Sequence, residues 1–586
     1  LPMPAVLSRG LAGIAAEVSA NASRIDSAEA RYFERQALGC IEAIRRFCGR
    51  YAEAAEKAGK PEAAAALRVV PYRPAYDLYS ALQSVWIMQF VASTVCGARD
   101  FAPGRIDQYL LPYFDAEADR NKTRELLAFF LVKFNEIPGT ATWNFDTKPI
   151  PCQASKQYLV LGGRNAEGKW EFNALSEQIV EAAELVKLPQ PTLNFRIGTG
   201  MPESAWKLVG RTAHTLDAQS NFFNENLITD KLLASGIHPE DTRNYTFTAC
   251  NRVDLPGRVY NIMRRIDIFD NSFAWFREAL LAAAGREAGG TDSAVETVLA
   301  ELRRIAEERL VADIRDTRTE LYCERFTFRF ESLFFPSCIQ SCRDIYRMGA
   351  ESYRWMHRMF SGIANMADSL SAIRKLVDEE KRFTLPELVE QLEADFSGNA
   401  TLRAEIVNRF PRYGNGKPEV DSLAAAAANM LIDAAEAAGR KTGFLMMTSF
   451  YSLTNHERFG SAIGATPDGR SAGSPVSENQ SPEYGADRES PTALLASVAT
   501  LPLKRCISGG LNLKFGCRPT AERFAALIRS FFGMGGLHIG FTIADRRTLE
   551  DARNHPDAYR TLLVRITGFS EFFVALSPQE QQNLID

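Results

Sequence analysis

The chain is poor in the features that would make its function easy to read. None of its 586 residues belongs to an apolar run of membrane-spanning length, and the start lacks the basic, apolar and small-residue succession of a secretory signal, so the expected location is the cytoplasm. It also lacks a basic stripe or tail. The 68 Lys and Arg are dispersed against 72 Asp and Glu for a net charge of −4, which argues against nucleic acid as a partner. There is no Walker loop, no glycine-rich dinucleotide fingerprint, no HExxH and no paired CxxC. The six histidines, at 214, 238, 357, 456, 538 and 555, show no ligand spacing, so metal hydrolysis is disfavoured and no metal site is expected. Ten cysteines follow no disulfide rhythm, and a body this large does not need staples. Cys338 and Cys342, spaced i, i+4 with no further ligand nearby, read as half-buried thiols on a helix.

What is present is the alternation of an α/β body. Residues 5 to 70 have helical spacing, with Gly59 and Pro61 punctuating a helix–helix connection, and "RPAYDLYSALQSVWIMQFVAST" continues the helical layer. Further on, the β-like runs "QYLVLGG", "PTLNFRIGT", "GFLMMTSFYSL" and "HIGFTIAD" alternate with long amphipathic segments, which predicts a largely parallel sheet or barrel. No repeat, low-complexity tract or long linker divides the chain.

Two stretches stand out chemically. In "VRITGFSEFFVAL" one glycine, Gly568, interrupts a run of bulky residues. A tight turn or a close backbone approach is the ordinary reason for such a glycine. The alternative is that its α-carbon is the reagent: a glycyl radical is delocalised over the flanking amides, and a side chain would oppose its flat geometry. In "EDTRNYTFTACNRVDLPGR", Cys250 follows a β-like run and precedes a Pro256–Gly257 turn. A free cysteine is usually a small buried hydrophobe, yet its weak S–H bond also lets it exchange a hydrogen atom with a glycyl radical.

The segment Arg565–Ile566–Thr567–Gly568–Phe569–Ser570 resembles the radical loop of the glycyl radical enzymes of the pyruvate formate-lyase and glycerol dehydratase superfamily. "CGARDFAPGRIDQYLLPYF", "PQPTLNFRIGTG", "NFFNENLI", the Cys250 loop, "GIANMADSLSAI", "FGSAIGATPDGRSAG" and "SPTALLASVATLP" resemble that family's segments in the same order, from about residue 5 to the end. The resemblance implies a ten-stranded α/β barrel surrounded by helices, with residues 1–470 as barrel body and 471–586 as a contiguous glycyl radical domain. It implies that Gly568 stores the radical, that Cys250 becomes the thiyl, and that Arg565, Phe569 and Ser570 support the loop. It further implies a homodimer and a separate activating enzyme using S-adenosylmethionine and an iron–sulfur cluster, since no CxxxCxxC motif is present here.

The chain also departs from the family. Eliminating members carry Cys–x–Glu, whereas this chain reads Cys250–Asn251–Arg252, and arginine cannot act as a base near neutrality. Ala98–Arg99–Asp100 replaces Gly–His–Ser, and Arg264, beside Arg265, stands near a position that is acidic in dehydratases. Arginine forks bind carboxylate, phosphate or sulfonate, so Arg252, Arg99, Arg264 and Arg265 suggest a small anionic substrate, although each is equally readable as a surface or salt-bridged residue. The leading expectation is a C–C-cleaving or decarboxylating lyase. The alternatives are radical elimination with Asp100 or Asp254 as base, and a catalytically silent or partner-dependent protein. The chain begins at Leu1, and an N-terminal helical region of the family's longer members has no counterpart; an incomplete sequence, a compact enzyme or a pocket completed by another chain are the expected explanations.

Overall fold

The computed structural model describes residues 3–96, 102–137, 157–248, 251–259, 269–286, 293–321, 327–347, 352–353, 355–566 and 568–585. The N-terminal layer consists of helices Met3–Ile25, Ala28–Lys57, Pro61–Val69 and Leu78–Phe90. Their ends follow local chemistry. Ser27 caps the second helix, Pro61 opens the third, and Asp77 forms a reciprocal capping box with Ser80.

Among the described residues, ten strands then form two sheets. The six-stranded sheet has the order β1 (Gly104–Arg105), β2 (Tyr158–Gly162), β3 (Thr192–Ile197), β4 (Ser220–Asn224), β12 (His538–Ile543) and β11 (Asn512–Phe515). Its pairs are parallel except β4–β12. The four-stranded sheet runs β10 (Ser508–Gly509), β9 (Leu445–Phe450), β8 (Trp355–Phe360) and β7 (Phe269–Asp270), parallel throughout. Only Gly510 and Leu511 separate β10 from β11, so the chain passes directly from one sheet to the other. Two antiparallel hairpins complete the set: β5 (Thr246–Thr248) with β6 (Arg252–Asp254), and β13 (Leu563–Ile566) with β14 (Phe569–Phe572).

The strand faces are sorted in a way that matters for function. On one face of the six-stranded sheet, Phe195, Phe222 and Phe541 pack together and against Phe524 of helix Ala521–Gly533. The opposite face carries Asn194, Arg196, Asn221, His538 and Thr542, all buried. The faces of the four-stranded sheet are mixed. Met446 presses on Gly439 of helix Pro418–Thr442, while Arg358 pairs with Asp270 and with Asp313 of helix Ala294–Leu321, so this face meets the helices. His357 and Ser449 point the other way. In the six-stranded sheet the helix side is mainly apolar and the inner side mainly polar, and polar groups in that position require partners there.

Cys338 and Cys342 differ from expectation. Helix Pro336–Ser341 ends before Cys342, which takes the left-handed cap conformation and donates its amide to the Cys338 carbonyl. Both thiols are fully buried rather than half-buried.

Candidate active site

The β13–β14 hairpin pairs Ile566 with Phe569, and Gly568 lies in the two-residue connection between them. Gly568 is buried. A two-residue hairpin favours glycine for its backbone freedom alone, so geometry by itself leaves both readings of this glycine standing. The flanking residues hold the hairpin against the inner face of the six-stranded sheet. The Arg565 amide donates to Thr542 Oγ1 at 2.9 Å. Its Nη1 donates to the Ala218 carbonyl at 3.1 Å and to Ser570 Oγ at 3.3 Å, while the Ser570 hydroxyl donates to the same carbonyl. Gln190 Nε2 reaches the Ser570 carbonyl at 3.4 Å. Phe569 is buried on the other face of the hairpin.

Below the hairpin lies His538, which sequence spacing left without a role. Its Nδ1 accepts from the Leu511 amide at 3.1 Å and its Nε2 lies 3.2 Å from Asn221 Oδ1. An acceptor at one nitrogen and a donor at the other describe a neutral ring. Burial, reinforced by the Arg565 charge, pushes its proton affinity well below the usual histidine value. Gly540 makes room here, since a Cβ on it would stand 2.8 Å from Asn512 Oδ1 and 2.9 Å from Asn221 Oδ1.

The β5–β6 hairpin sits on the same face. Phe247 stacks on Phe223 of β4, with ring centroids 3.7 Å apart, and Phe223 also packs against the His538 ring at 4.7 Å. Two buried arginines grip the approach to this hairpin. Arg196 donates to the Tyr245 carbonyl at 2.7 Å, and Arg105 donates to the Arg243 carbonyl at the same distance. Glu225 neutralises Arg196 through bonds of 2.7 and 2.8 Å and accepts from the Tyr245 hydroxyl at 2.7 Å. Burial alone would raise the Glu225 carboxyl, but the Arg196 charge and hydrogen bonds bring it below the ordinary range. Burial and the neighbouring Arg196 lower the Arg105 guanidinium to about 10.

Cys250 falls in the connection between β5 and β6 and lies outside the described residues, as do Arg99, Asp100, Arg264 and Arg265. Its neighbour Asn251 is buried and donates from Nδ2 to the Gly509 carbonyl at 3.0 Å. Arg252 and Asp254, rival candidates in the sequence, point to the same face of β6. Arg252 Nη2 donates to Asp254 Oδ2 at 3.1 Å and to Thr248 Oγ1 at 3.0 Å. The ion pair thus engages both the proposed anion fork and the proposed base.

Across the interior, His357 on β8 is also buried, with Nε2 2.9 Å from Ser449 Oγ. Burial and the nearby Arg252 charge lower it to about 3, so this ring is neutral too. The signal that could have found both histidines is a polar residue in phase with the inner face of an otherwise apolar strand, as in "WMHRMF" and "HIGFTI".

The comparisons with known proteins identify the family of the chain. The pyruvate formate lyase-like family model matches residues 1–273 and 295–460, and the glycine radical model matches residues 476–574, which include Gly568. The trans-4-hydroxy-L-proline dehydratase of Clostridioides difficile is 27% identical, over 94% of this chain and 74% of its own. The indoleacetate decarboxylase of Tractidigestivibacter scatoligenes is 26% identical, over 89% of this chain and 64% of its own. Among solved structures, the glycerol-bound B12-independent glycerol dehydratase from Clostridium butyricum superposes with a TM-score of 0.90 at 26% identity, covering 100% of this chain and 78% of that one. The two sheets therefore make up the ten-stranded α/β barrel of these enzymes, and among the described residues no helix is long and apolar enough to cross a membrane. With both family models matched in order, the chain belongs to the pyruvate formate lyase-like family and is a glycyl radical enzyme, a lyase in the broad sense.

Proposed function

We propose that Gly568 stores the radical and that Cys250 delivers it to a small anionic substrate, leading to C–C cleavage or decarboxylation. In this reading the Gly568 α-carbon radical takes the hydrogen of the Cys250 thiol, giving an intact glycine and a thiyl. The thiyl takes a hydrogen atom from a substrate C–H, one substrate bond breaks, and the product radical recovers hydrogen from Cys250. The protein's share is to position the partners and exclude water and oxygen. The observation that carries the reading is that the Gly568 hairpin and the hairpin bracketing Cys250 are anchored on the same inner face of the six-stranded sheet. Residues 471–586 would form the radical-bearing part, and installing the radical would fall to a separate activating enzyme using S-adenosylmethionine and an iron–sulfur cluster. The protein would act in the cytoplasm as a homodimer.

C–C cleavage is preferred to elimination through Asp254 because that carboxylate already pairs with Arg252 and accepts from Thr248. Arg99, Arg264 and Arg265 then remain as the candidate forks for the anion. The second reading, elimination with Asp100 as base, is favoured by the similarity to two dehydratases.

Anaerobic electron paramagnetic resonance after incubation with a cognate activating enzyme tests the common core. A doublet that Gly568→Ala abolishes, with air-dependent backbone cleavage at residue 568, is the expected result. No radical from an activating enzyme proven on another protein overturns the assignment of Gly568. Asp100→Asn separates the two reactions: radical formation with turnover lost supports elimination, and unchanged turnover leaves cleavage.

A further inference from the structure

Three neutral hydrogen-bonding atoms line one connected strip of the barrel interior, and none of them has a partner among the described residues. Asn251 follows Cys250, and its Nδ2 is tied to Gly509, but its Oδ1 has no partner among the described residues. Ser508 precedes Gly509 on β10, and its Oγ is equally unmet. Ser508 is in register with Ser449 on β9, and Ser449 Oγ meets His357 Nε2, leaving His357 Nδ1 without a partner. All three side chains are almost completely buried. Each unmet buried atom costs on the order of 1–3 kcal/mol, and native proteins retain few of them without a reason. Three in sequence beside the candidate thiyl hairpin offer unmet hydrogen-bonding capacity to a polar ligand.

The chemistry of the strip selects its ligand. Asn251 Oδ1 can only accept a hydrogen bond. His357, beside the Arg252 cation, remains uncharged and offers one nitrogen. A carboxylate or sulfonate oxygen has no proton to give Asn251 Oδ1, whereas a hydroxyl or an amino group has.

Resting on the proposed reaction at Cys250, we propose that Asn251, Ser508 and His357 form a substrate subsite for a hydroxyl or amino group, with His357 as its specificity-determining residue. Ser449 is a positioning residue, fixing the imidazole so that Nδ1 faces the subsite. The substrate class is thereby narrowed from a small anion to a small hydroxy or amino acid.

The test needs no radical and so is independent of the Gly568 assignment. Calorimetric binding to the unactivated protein compares propanoate with 2-hydroxypropanoate, 3-hydroxypropanoate and alanine. At least one substituted acid is expected to bind about tenfold more tightly than propanoate, the size of one well-placed hydrogen bond. His357→Phe should reduce that ratio to near one, while His357→Gln, which keeps a hydrogen-bonding group, should retain part of it and confirm that the fold tolerates substitution there. Ser449→Ala should weaken the preference without removing it. Equal or absent binding of substituted and unsubstituted acids overturns the inference, as does a preference that survives in His357→Phe. A radical doublet alongside a failed binding test leaves the radical assignment intact and removes only the subsite.

Discussion

The two hairpins inside the barrel are both antiparallel but have opposite supports. The β5–β6 hairpin is held by charge: Arg196 with Glu225, Arg105, and the Arg252–Asp254 pair. Among the described residues the β13–β14 hairpin is held largely by neutral groups, with Arg565 supplying a charge to the Ala218 carbonyl, Ser570 and the floor around His538. Buried ion pairs resist removal of either partner, because the survivor is left charged in a poor solvent. Neutral hydrogen bonds are individually modest. The hairpin that brackets Cys250 is clamped, while the one that carries Gly568 is only latched; under the proposed reaction, the thiol donor is thus the more firmly held of the two.

The largest effect should come from the reacting atoms. Cys250→Ser should retain the glycyl doublet and reduce turnover to background, whereas Gly568→Ala loses both; paired resonance and activity measurements separate the two hairpins. A retained activity in Cys250→Ser would break the division of labour. Next in size is the clamp. Glu225→Gln leaves Arg196 uncompensated and should cost about 3–5 kcal/mol of stability by denaturant unfolding. A cost near zero would show that the charged network does not hold the hairpin.

Acid should act on the two footings in sequence. The folded value of His538 lies below its unfolded value of about 6.5, so as pH falls below that the unfolded chain gains a proton the native state refuses, and stability is lost. Glu225, lowered in the fold from 4.5, keeps its contribution until pH falls through the ordinary carboxylate range. His357 adds a slope of the same sign as His538, while Asp368 and Glu483, raised mainly by burial to about 6 and about 7 beside Arg412 and Asp468, add slopes of the opposite sign between those values and the ordinary carboxylate range. The difference between the wild type and His538→Asn isolates the latch: at most about 1.4 kcal/mol per pH unit below 6.5 should disappear in the variant. Parallel stability curves would contradict it. The smallest expected change is Ser570→Ala, about 1 kcal/mol with the doublet preserved, read by thermal unfolding and resonance together.

Much of the scaffold was legible in sequence because its strands are continuous apolar runs between capped helices. "QYLVLGG", "PTLNFRIGT" and "HIGFTIAD" lie where β2, β3 and β12 form, and Gly59 and Pro61 mark the break between Lys57 and the helix opening at Pro61. The facing of each strand was not legible. Nothing in "NFRI" says that asparagine and arginine turn inward while phenylalanine meets a helix, since that is set by pairing partners distant in sequence. For the same reason His357 and His538, dismissed for lack of ligand spacing, proved to be neutral interior groups. The Arg252–Asp254 pairing was available from the two-residue period of a strand, but only once those residues were known to form one.

The β13–β14 ladder closes on itself: its strands form their own two-stranded sheet and join neither barrel sheet. Its hydrogen bonds to Thr542, Ala218 and Gln190 of the barrel run through side chains of Arg565, Ser570, Thr542 and Gln190. Displacing this hairpin, and Gly568 with it, would therefore break side-chain hydrogen bonds without removing a rung from either barrel sheet.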